Sequence, residues 1–184
     1  MPKEDAFVAI AHAVAVSILP PPQYEVRRGA PLLYQINVDN KLDIQINVKK
    51  PIRGKSSFET DLCVFERKSE DVLIPRVVLE FKTGITTHDV LIYSAKASKH
   101  KQIYPYLRYG IVASRETAVP GRLFTHNEAL DFFAAVKDIE GQKLTDFFVN
   151  LLSAEVETSR KLEAIAYEKV QTRLFRTEVI LQPR

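Results

Sequence analysis

The chain from residue 75 to residue 82 constrains the fold most strongly, because it combines an apolar run with two charges. Residues 77–79 are Val-Val-Leu, a continuous apolar segment that predicts a central strand covered on both faces. The segment then ends in Glu80-Phe81-Lys82. Strand side chains alternate, so Glu80 and Lys82 share one face, while the apolar residues before and between them point into a core. Burying two ionisable groups on a strand costs folding free energy unless they are paired with opposite charges or serve a function.

A second acidic residue lies on the strand that is predicted just before this one. Asp61 stands near the start of a strand over about residues 58–66, and the polar residues 68–71 form a turn to the strand that carries Glu80. We therefore expect the carboxylates of Asp61 and Glu80 to meet on adjacent strands. The neighbouring Glu59 is expected to point away from Asp61.

Paired carboxylates beside a lysine suit the metal-assisted hydrolysis of a phosphodiester. Asp61 and Glu80 would hold a hard divalent cation, with the backbone carbonyl of Phe81 as a further ligand. Such a cation polarises a phosphoryl oxygen and lowers the pKa of a bound water, and Lys82 would orient that water or neutralise charge on the phosphate. The pattern predicts Mg²⁺ as the cofactor, with Mn²⁺ as a substitute. The plain alternative is a structural ion pair across the hairpin.

The segments that precede the acidic residues predict one helix and two strands. Apolar residues at helical spacing predict a helix over about residues 4–19, which the three prolines at 20–22 end. Residues 33–38 are strand-like, and residues 42–48 alternate between apolar and polar side chains, which predicts a half-buried strand.

A basic loop is predicted over residues 49–57, directly before the strand that carries Asp61. Lys50, Arg53 and Lys55 give this loop its positive charge. The position predicts that these three side chains touch the phosphate backbone of a bound nucleic acid. A solvated basic surface is the alternative.

The chain beyond the Glu-Phe-Lys triplet predicts a helix and then a short strand. Thr86, Thr87 or Asp89 would cap the helix, which should run to about Tyr104. Residues 109–114 predict a short buried strand.

The remainder of the chain is predicted to be helical. Thr125 and Glu128 form a capping-box pattern before a helix that reaches Val136, and Gly141 is expected to end that helix. From residue 143 to about residue 175 the chain has no Gly or Pro, which predicts a long helix.

These elements predict an α/β fold with a mixed β-sheet that is flanked by helices. A chain of 184 residues is long enough for one domain, here residues 1–184. Within it, residues 1–115 would form the sheet-containing part and residues 116–184 a helical C-terminal segment.

Asp61 and the Glu-Phe-Lys triplet at 80–82 resemble the motif of the PD-(D/E)xK nuclease superfamily, which includes restriction endonucleases and many repair nucleases. The predicted order over residues 1–115 is also similar to that family's αβββαβ core. The resemblance implies a restriction endonuclease-like fold, in which the two acids hold a divalent metal and the enzyme cleaves DNA. Thr60 stands where the family's namesake motif has proline, a residue that is often absent among members.

A further pair of residues resembles the extra motif of RecB-type nucleases. Gln102 and Tyr106 fit the pattern Gln-x-x-x-Tyr on the helix that follows the lysine strand. The resemblance implies that both side chains contact DNA near the metal. Pro105 inside the motif departs from the pattern, because it bends or ends the helix.

Composition and charge exclude several other classes of protein. The single cysteine, Cys63, excludes an internal disulfide framework and a cysteine-based zinc site. No apolar run is long enough to span a membrane, and the acidic start of the chain does not suit a secretory signal, so a cytoplasmic protein is expected. The formal net charge of +3 is too mild to indicate nucleic-acid binding by itself.

The sequence therefore predicts a metal-dependent deoxyribonuclease, an endonuclease of restriction or repair type. One alternative is an inactive member of the same fold that binds DNA or a protein within a defence or repair complex. Another is a globular protein with an accidental ion pair and no nucleic-acid role. A homodimer is also expected, because the long C-terminal helix carries an apolar stripe that a second copy would bury, formed by Phe147, Leu151, Leu162, Ile165 and Val170.

Overall fold

The computed structural model describes residues 4–174 and residue 179, and it shows an α/β fold built on a five-stranded mixed sheet. The elements in chain order are α1 (Glu4–Ile18), β1 (Tyr24–Leu33), β2 (Ser57–Ser69), β3 (Val72–Lys82), α2 (Thr87–Ile103), β4 (Arg108–Ala113), α3 (Gly121–His126), β5 (Phe132–Ala135) and α4 (Gly141–Tyr167). None of the helices in this described part of the chain has the length and apolarity needed to cross a bilayer.

The strands follow one another across the sheet in chain order. Strands β1, β2 and β3 form an antiparallel meander, while β4 and β5 run parallel to β3. A parallel pair needs a crossover connection, and α2 supplies the one between β3 and β4. Helices α1 and α4 cover one face of the sheet, and α2 and α3 cover the other.

Strand β3 is the central strand that the apolar run predicts. Leu79 and Phe81 pack into the core beneath α1 and α4, while Val78 packs into the core beneath α2. Both faces are therefore covered, and the predicted alternation is confirmed over residues 77–81. Arg76, just before them, falls at a register shift against β2 and contacts α4.

The sheet begins earlier in the chain than the sequence pattern predicts. Strand β1 ends at Leu33, where the first strand-like segment, residues 33–38, was expected to begin. Residues 42–48 are not a strand, and only one isolated bridge, between Val38 and Ile44, pairs the stretch between β1 and β2. The carboxylate of Asp39 accepts the backbone N–H of Lys41 and of Asp43, so a tight turn replaces the ladder. Alternation alone does not make a strand where no partner strand lies alongside.

A strand replaces the helix that was expected to reach Val136. The short helix α3 ends at His126, and the amide oxygen of Asn127 accepts the backbone N–H groups of Ala129 and Leu130. The chain then enters β5, which pairs with β4. The C-terminal part is thus not wholly helical, because an Asn side chain competes for the backbone donors that a helix would use.

Gly141 begins a helix instead of ending one. Its φ of 55° lies in the left-handed region, which suits glycine at the point where the chain turns into α4. Helix α4 ends at Tyr167, short of the predicted end, and Phe175 lies outside the described residues.

Most of the apolar side of α4 packs on the chain's own sheet. Phe148, Leu152 and Val156 are buried in the core, and Phe147 and Leu151 pack against its edge. The part of the predicted stripe that stays exposed is small, Ile165 and Val170. The homodimer remains a prediction, but the chain itself covers much of the surface on which it was based.

A buried network of charges ties α4 to the β2–β3 hairpin. Arg76 on β3 is fully buried, and its Nε donates to Glu66 Oε2 on β2 over 2.7 Å. The same guanidinium contacts Ser159 and Glu163 on α4. Although burial raises the pKa of Glu66, hydrogen bonds from Arg160 and Arg76 lower it to about 2. This contribution to stability is therefore present above pH 4.5 and is lost as the pH falls toward 2.

We predict that Arg76→Met lowers the free energy of unfolding by about 3 kcal/mol, because it leaves buried carboxylates short of a partner. Urea unfolding at neutral pH measures the change. Lys161→Met is the matched control, since it removes a cation from the exposed pair with Glu157, and we expect a change below about 0.5 kcal/mol. Equal small losses in both variants would contradict this role for Arg76.

Candidate functional site

The site forms where strands β2 and β3 stop pairing. The antiparallel ladder extends to the pair Leu62–Leu79, and Asp61 comes one residue beyond it on β2. The Oδ2 atom of Asp61 accepts the backbone N–H of Phe81 over 2.7 Å. This bond fixes the Asp61 carboxylate beside β3, next to the residue that carries the second carboxylate.

Glu80 is the most enclosed residue of the site. It is 1% exposed, on the face of β3 that α2 covers. Its Oε1 accepts a hydrogen bond from the hydroxyl of Tyr109 on β4 and lies 3.6 Å from the Nζ of Lys96 on α2. Three elements therefore position one carboxylate.

The charges around Glu80 do not compensate for the free-energy cost of removing its carboxylate from water. Burial raises the pKa of Glu80, the Lys96 ammonium lowers it, and the neighbouring Asp61 carboxylate raises it again, so that the pKa is about 7. A like charge close by disfavours ionisation of the buried Glu80 carboxyl group. A cation between the two carboxylates would favour the ionised form of Glu80.

Lys82 lies at the end of β3, two residues beyond Glu80. Its Nζ is 5.2 Å from the ring centroid of Tyr93 on α2. Burial raises the pKa of Tyr93, Lys82 lowers it, and the carboxylates of Glu80 and Asp61 raise it. Lys82 therefore lies beside Tyr93, and both carboxylates are near enough to influence the charge of the same phenol.

The donor set suits a magnesium ion. Mg²⁺ is usually bound through one or two carboxylates and keeps several waters, and Asp61 and Glu80 supply two neighbouring hard oxygen donors. Within the described residues no group of three or more His, Cys, Asp and Glu side chains converges as a metal cage. If an ion binds here, Asp61 and Glu80 would hold it, and the Phe81 carbonyl remains a predicted further ligand.

The predicted Gln-x-x-x-Tyr pair is not brought to the carboxylates. Gln102 is exposed near the end of α2, whereas Tyr106 is buried, with its ring against Arg76. Since β4 runs parallel to β3 and begins opposite Val77, Tyr106 lies toward the start of β3. The carboxylates lie toward its other end. The helix stops before Pro105, so the two residues of the motif do not share one helical face.

The predicted basic loop does border the site. Lys50 and Lys55 are exposed, and the Nη1 of Arg53 pairs with Glu59 Oε2 at 2.9 Å. Glu59 lines a surface cavity together with Asp61, so the expectation that it points away was wrong. Residues two apart on a strand share a face, which the sequence spacing already indicated.

Sequence reasoning missed Lys96 and Tyr109, which contact Glu80, and Tyr93, whose ring lies near Lys82 and Lys96. Tyr93 and Lys96 stand three residues apart on α2, and this spacing places them on one face of a helix. Tyr109 was expected as the first residue of a short buried strand. Its contact with Glu80 depends on the register between β3 and β4, which no local pattern specifies.

No protein-family model matches the sequence, and no curated protein matches it either.

The raised pKa of Glu80 predicts a measurable effect of pH on stability. Between pH 4.5 and about 7 the folded chain holds a proton on Glu80 that the unfolded chain releases, so the free energy of unfolding falls as pH rises. We expect Glu80→Gln to remove this fall, which amounts to about 3 kcal/mol at most.

Urea unfolding in EDTA across this pH range tests the prediction. The difference between wild type and Glu80→Gln isolates the one carboxyl group, because the buried His100, with its pKa lowered to about 4 by burial, acts in both chains. Glu128→Gln changes an exposed glutamate and should keep the wild-type slope. Parallel curves for wild type and Glu80→Gln would show that Glu80 does not titrate in this interval.

Proposed function

We propose that this chain is a divalent-metal-dependent deoxyribonuclease, an endonuclease of restriction or repair type. The observation that carries the proposal is the arrangement of Asp61 and Glu80, two carboxylates held side by side at the point where β2 and β3 part, with Lys82 next on the same strand. Functional sites often contain buried ionisable groups whose charges are not fully neutralised by their neighbours.

The order of the elements also supports the proposal. A helix, three antiparallel strands, a crossover helix and a strand parallel to β3 are the elements that the resemblance to PD-(D/E)xK nucleases implies. The two acids occupy β2 and β3, as that resemblance requires. Strand β5 and helix α4 lie beyond this common part.

The residues would divide the work of phosphodiester hydrolysis among them. A bound Mg²⁺ supplies polarisation of the phosphoryl oxygen and activation of a water molecule. Asp61 and Glu80 hold the ion, and the hydrogen bonds from Phe81 N–H and from the Tyr109 hydroxyl fix the two carboxylates. Lys82 places a compact positive charge near the attacking water and the phosphate.

One observation favours a non-catalytic binding protein of the same fold as the second candidate. Glu80 is almost fully covered, and Lys96 approaches it closely enough to take the place of a metal. If Lys96 stays beside Glu80 and keeps a metal out, the chain would bind DNA or a partner protein without cleaving a phosphodiester. The variants below separate the two candidates.

We predict that Asp61→Asn and Lys82→Ala each abolish cleavage of supercoiled plasmid in Mg²⁺ or Mn²⁺. Asp61→Asn removes a ligand charge, whereas Lys82→Ala spares the ligands. Mg²⁺ should therefore raise the melting temperature of wild type and of Lys82→Ala, but not that of Asp61→Asn. Asp71→Asn and Lys99→Ala change exposed residues of the same types and should cleave normally.

The comparison depends on activity together with stability. Inactive variants that melt near the wild-type temperature support the enzyme. Full activity in either variant, or loss of activity only through unfolding, would exclude the proposed role. A wild type that binds DNA but never cleaves it, with any divalent metal, would favour the non-catalytic candidate.

A separate prediction concerns the basic loop. Replacing Lys50, Arg53 and Lys55 by alanine should weaken DNA binding and reduce the slope of log affinity against log salt, by about 0.9 for each phosphate that the variant no longer neutralises. Fluorescence anisotropy over a salt series measures this slope. Lys161→Ala, on the exposed side of α4, is the control. An unchanged slope in the triple variant would show that the loop is only solvated.

A further inference from the structure

Two cavities adjoin beside the candidate site, and Glu59 lines both of them. The larger has a volume of about 440 Å³ and is also lined by Asp61 and Arg28. The other has a volume of about 330 Å³, and Tyr34, Phe58 and Lys96 contribute to its lining. We call this second space the aromatic cavity. Volumes of this size fit a small flat ligand or one unit of a polymer.

Two stacked rings form a wall of the aromatic cavity. The ring centroids of Tyr34 and Phe58 are 4.0 Å apart, and the ring planes lie 16° from parallel. Strands β1 and β2 place them there, since Phe58 pairs with Leu32 and the N–H of Tyr34 donates to the Ser56 carbonyl. Both rings are only half-buried.

A buried histidine packs against the Phe58 ring of the stacked pair. The Phe58 ring and the imidazole of His100 form a T-shaped pair, with ring centroids 5.9 Å apart and planes at 83°. His100 is fully buried, and its Nδ1 lies 2.8 Å from the Leu33 carbonyl oxygen. The wall is therefore a fixed surface and needs little ordering when a ligand binds.

Positive charge lies at two points of the same cavity. Lys96 lines it and places its Nζ 5.9 Å from the Phe58 centroid and 3.6 Å from Glu80 Oε1, so one side chain separates the cavity from the carboxylates. Arg53 also lines it, paired with Glu59. A flat ring system joined to an anionic backbone complements this combination of aromatic wall and cations.

We propose that the aromatic cavity binds one unpaired nucleobase of a DNA strand whose backbone passes Asp61 and Glu80. The inference rests on the proposed function, which it deepens by naming the substrate class: single-stranded DNA, or duplex DNA that is locally unpaired beside the cleaved bond. A base inside a duplex is stacked on both faces and must be taken out of the helix before it can lie on Tyr34 and Phe58.

The second cavity extends the same path. Arg28 stands beside Asp61 in its lining, on the strand next to β2. A strand that places a base in the aromatic cavity would pass the two carboxylates and bring a backbone phosphate to this guanidinium. The aromatic cavity therefore offers a stacking surface, the second cavity offers a guanidinium beside Asp61, and Glu59 lines both.

The test compares a short fluorescein-labelled deoxythymidine oligonucleotide with a duplex of equal length, by anisotropy in EDTA. We expect wild type to bind the single strand more tightly. Tyr34→Leu and Phe58→Leu keep apolar bulk but remove a ring, and each should weaken single-strand binding by about 5- to 150-fold while leaving duplex binding within about twofold. Phe124→Leu changes an exposed ring outside both cavities and should have no effect.

A second measurement does not depend on the folding of the variants. An oligonucleotide of abasic sites keeps the phosphates but offers no base, so wild type should bind it about 5- to 150-fold more weakly than the normal strand. Equal binding of the abasic and normal strands by wild type would overturn the proposal, and so would equal weakening of single-strand and duplex binding in the leucine variants.

Plasmid cleavage in Mg²⁺ separates the two proposals. If wild type cleaves the plasmid but the leucine substitutions do not affect single-strand binding, the base-binding role of the aromatic cavity is excluded and the nuclease proposal is retained. Base-dependent binding without cleavage would support the cavity and remove the catalytic proposal. A wild type that neither binds nor cleaves DNA would overturn both.

Discussion

Strand β3 is covered on both faces, so every ionisable side chain on it must be compensated by groups from other elements. Arg76, near its start, is fully buried and is satisfied by carboxylates from β2 and α4. Glu80, near its end, meets a hydroxyl, one ammonium and a second carboxylate, and its charge is not fully compensated. Two helices supply partners for these two side chains. Helix α4 covers the first residue and α2 covers the second, on opposite sides of the sheet.

The difference between the two ends of β3 separates a structural cluster from a candidate site. At the Arg76 end, opposite charges alternate and lower the pKa of Glu66. At the Glu80 end, burial and a like charge raise the pKa of the Glu80 carboxyl group to about 7. Buried charges that are fully paired contribute to folding at best modestly, and removing one partner is strongly destabilising. Charges that remain partly unpaired destabilise the fold unless a cation or a substrate completes them, which is the physical basis for placing the site at the Glu80 end.

Local patterns in the sequence predicted the elements that carry the acids. The hairpin of β2 and β3 and helix α2 lie close to their predicted positions, because each has its own signal: an apolar run, a polar turn, and candidate helix caps at Thr86, Thr87 and Asp89. Of these candidates, Thr86 and Asp89 form the cap. Strand β1 was missed because charged residues and Gly29 interrupt its pattern, and β5 was missed because Asn127 draws the chain out of a helical path. Asp61, Glu80 and Lys82 could be singled out by type and spacing. Tyr109 and Lys96 could not, since their contacts with Glu80 depend on strand register and helix packing.

The poorly compensated carboxylate of Glu80 has a consequence for how this chain changes over evolutionary time. A neutral side chain at that position would remove a desolvation cost without disturbing the backbone bond between Asp61 and Phe81. Selection for folding alone would therefore discard Glu80 readily, and the resulting chain would be more stable while it retains the sheet, the aromatic wall and the basic loop. That the chain carries Glu80 is thus a feature that folding alone does not favour.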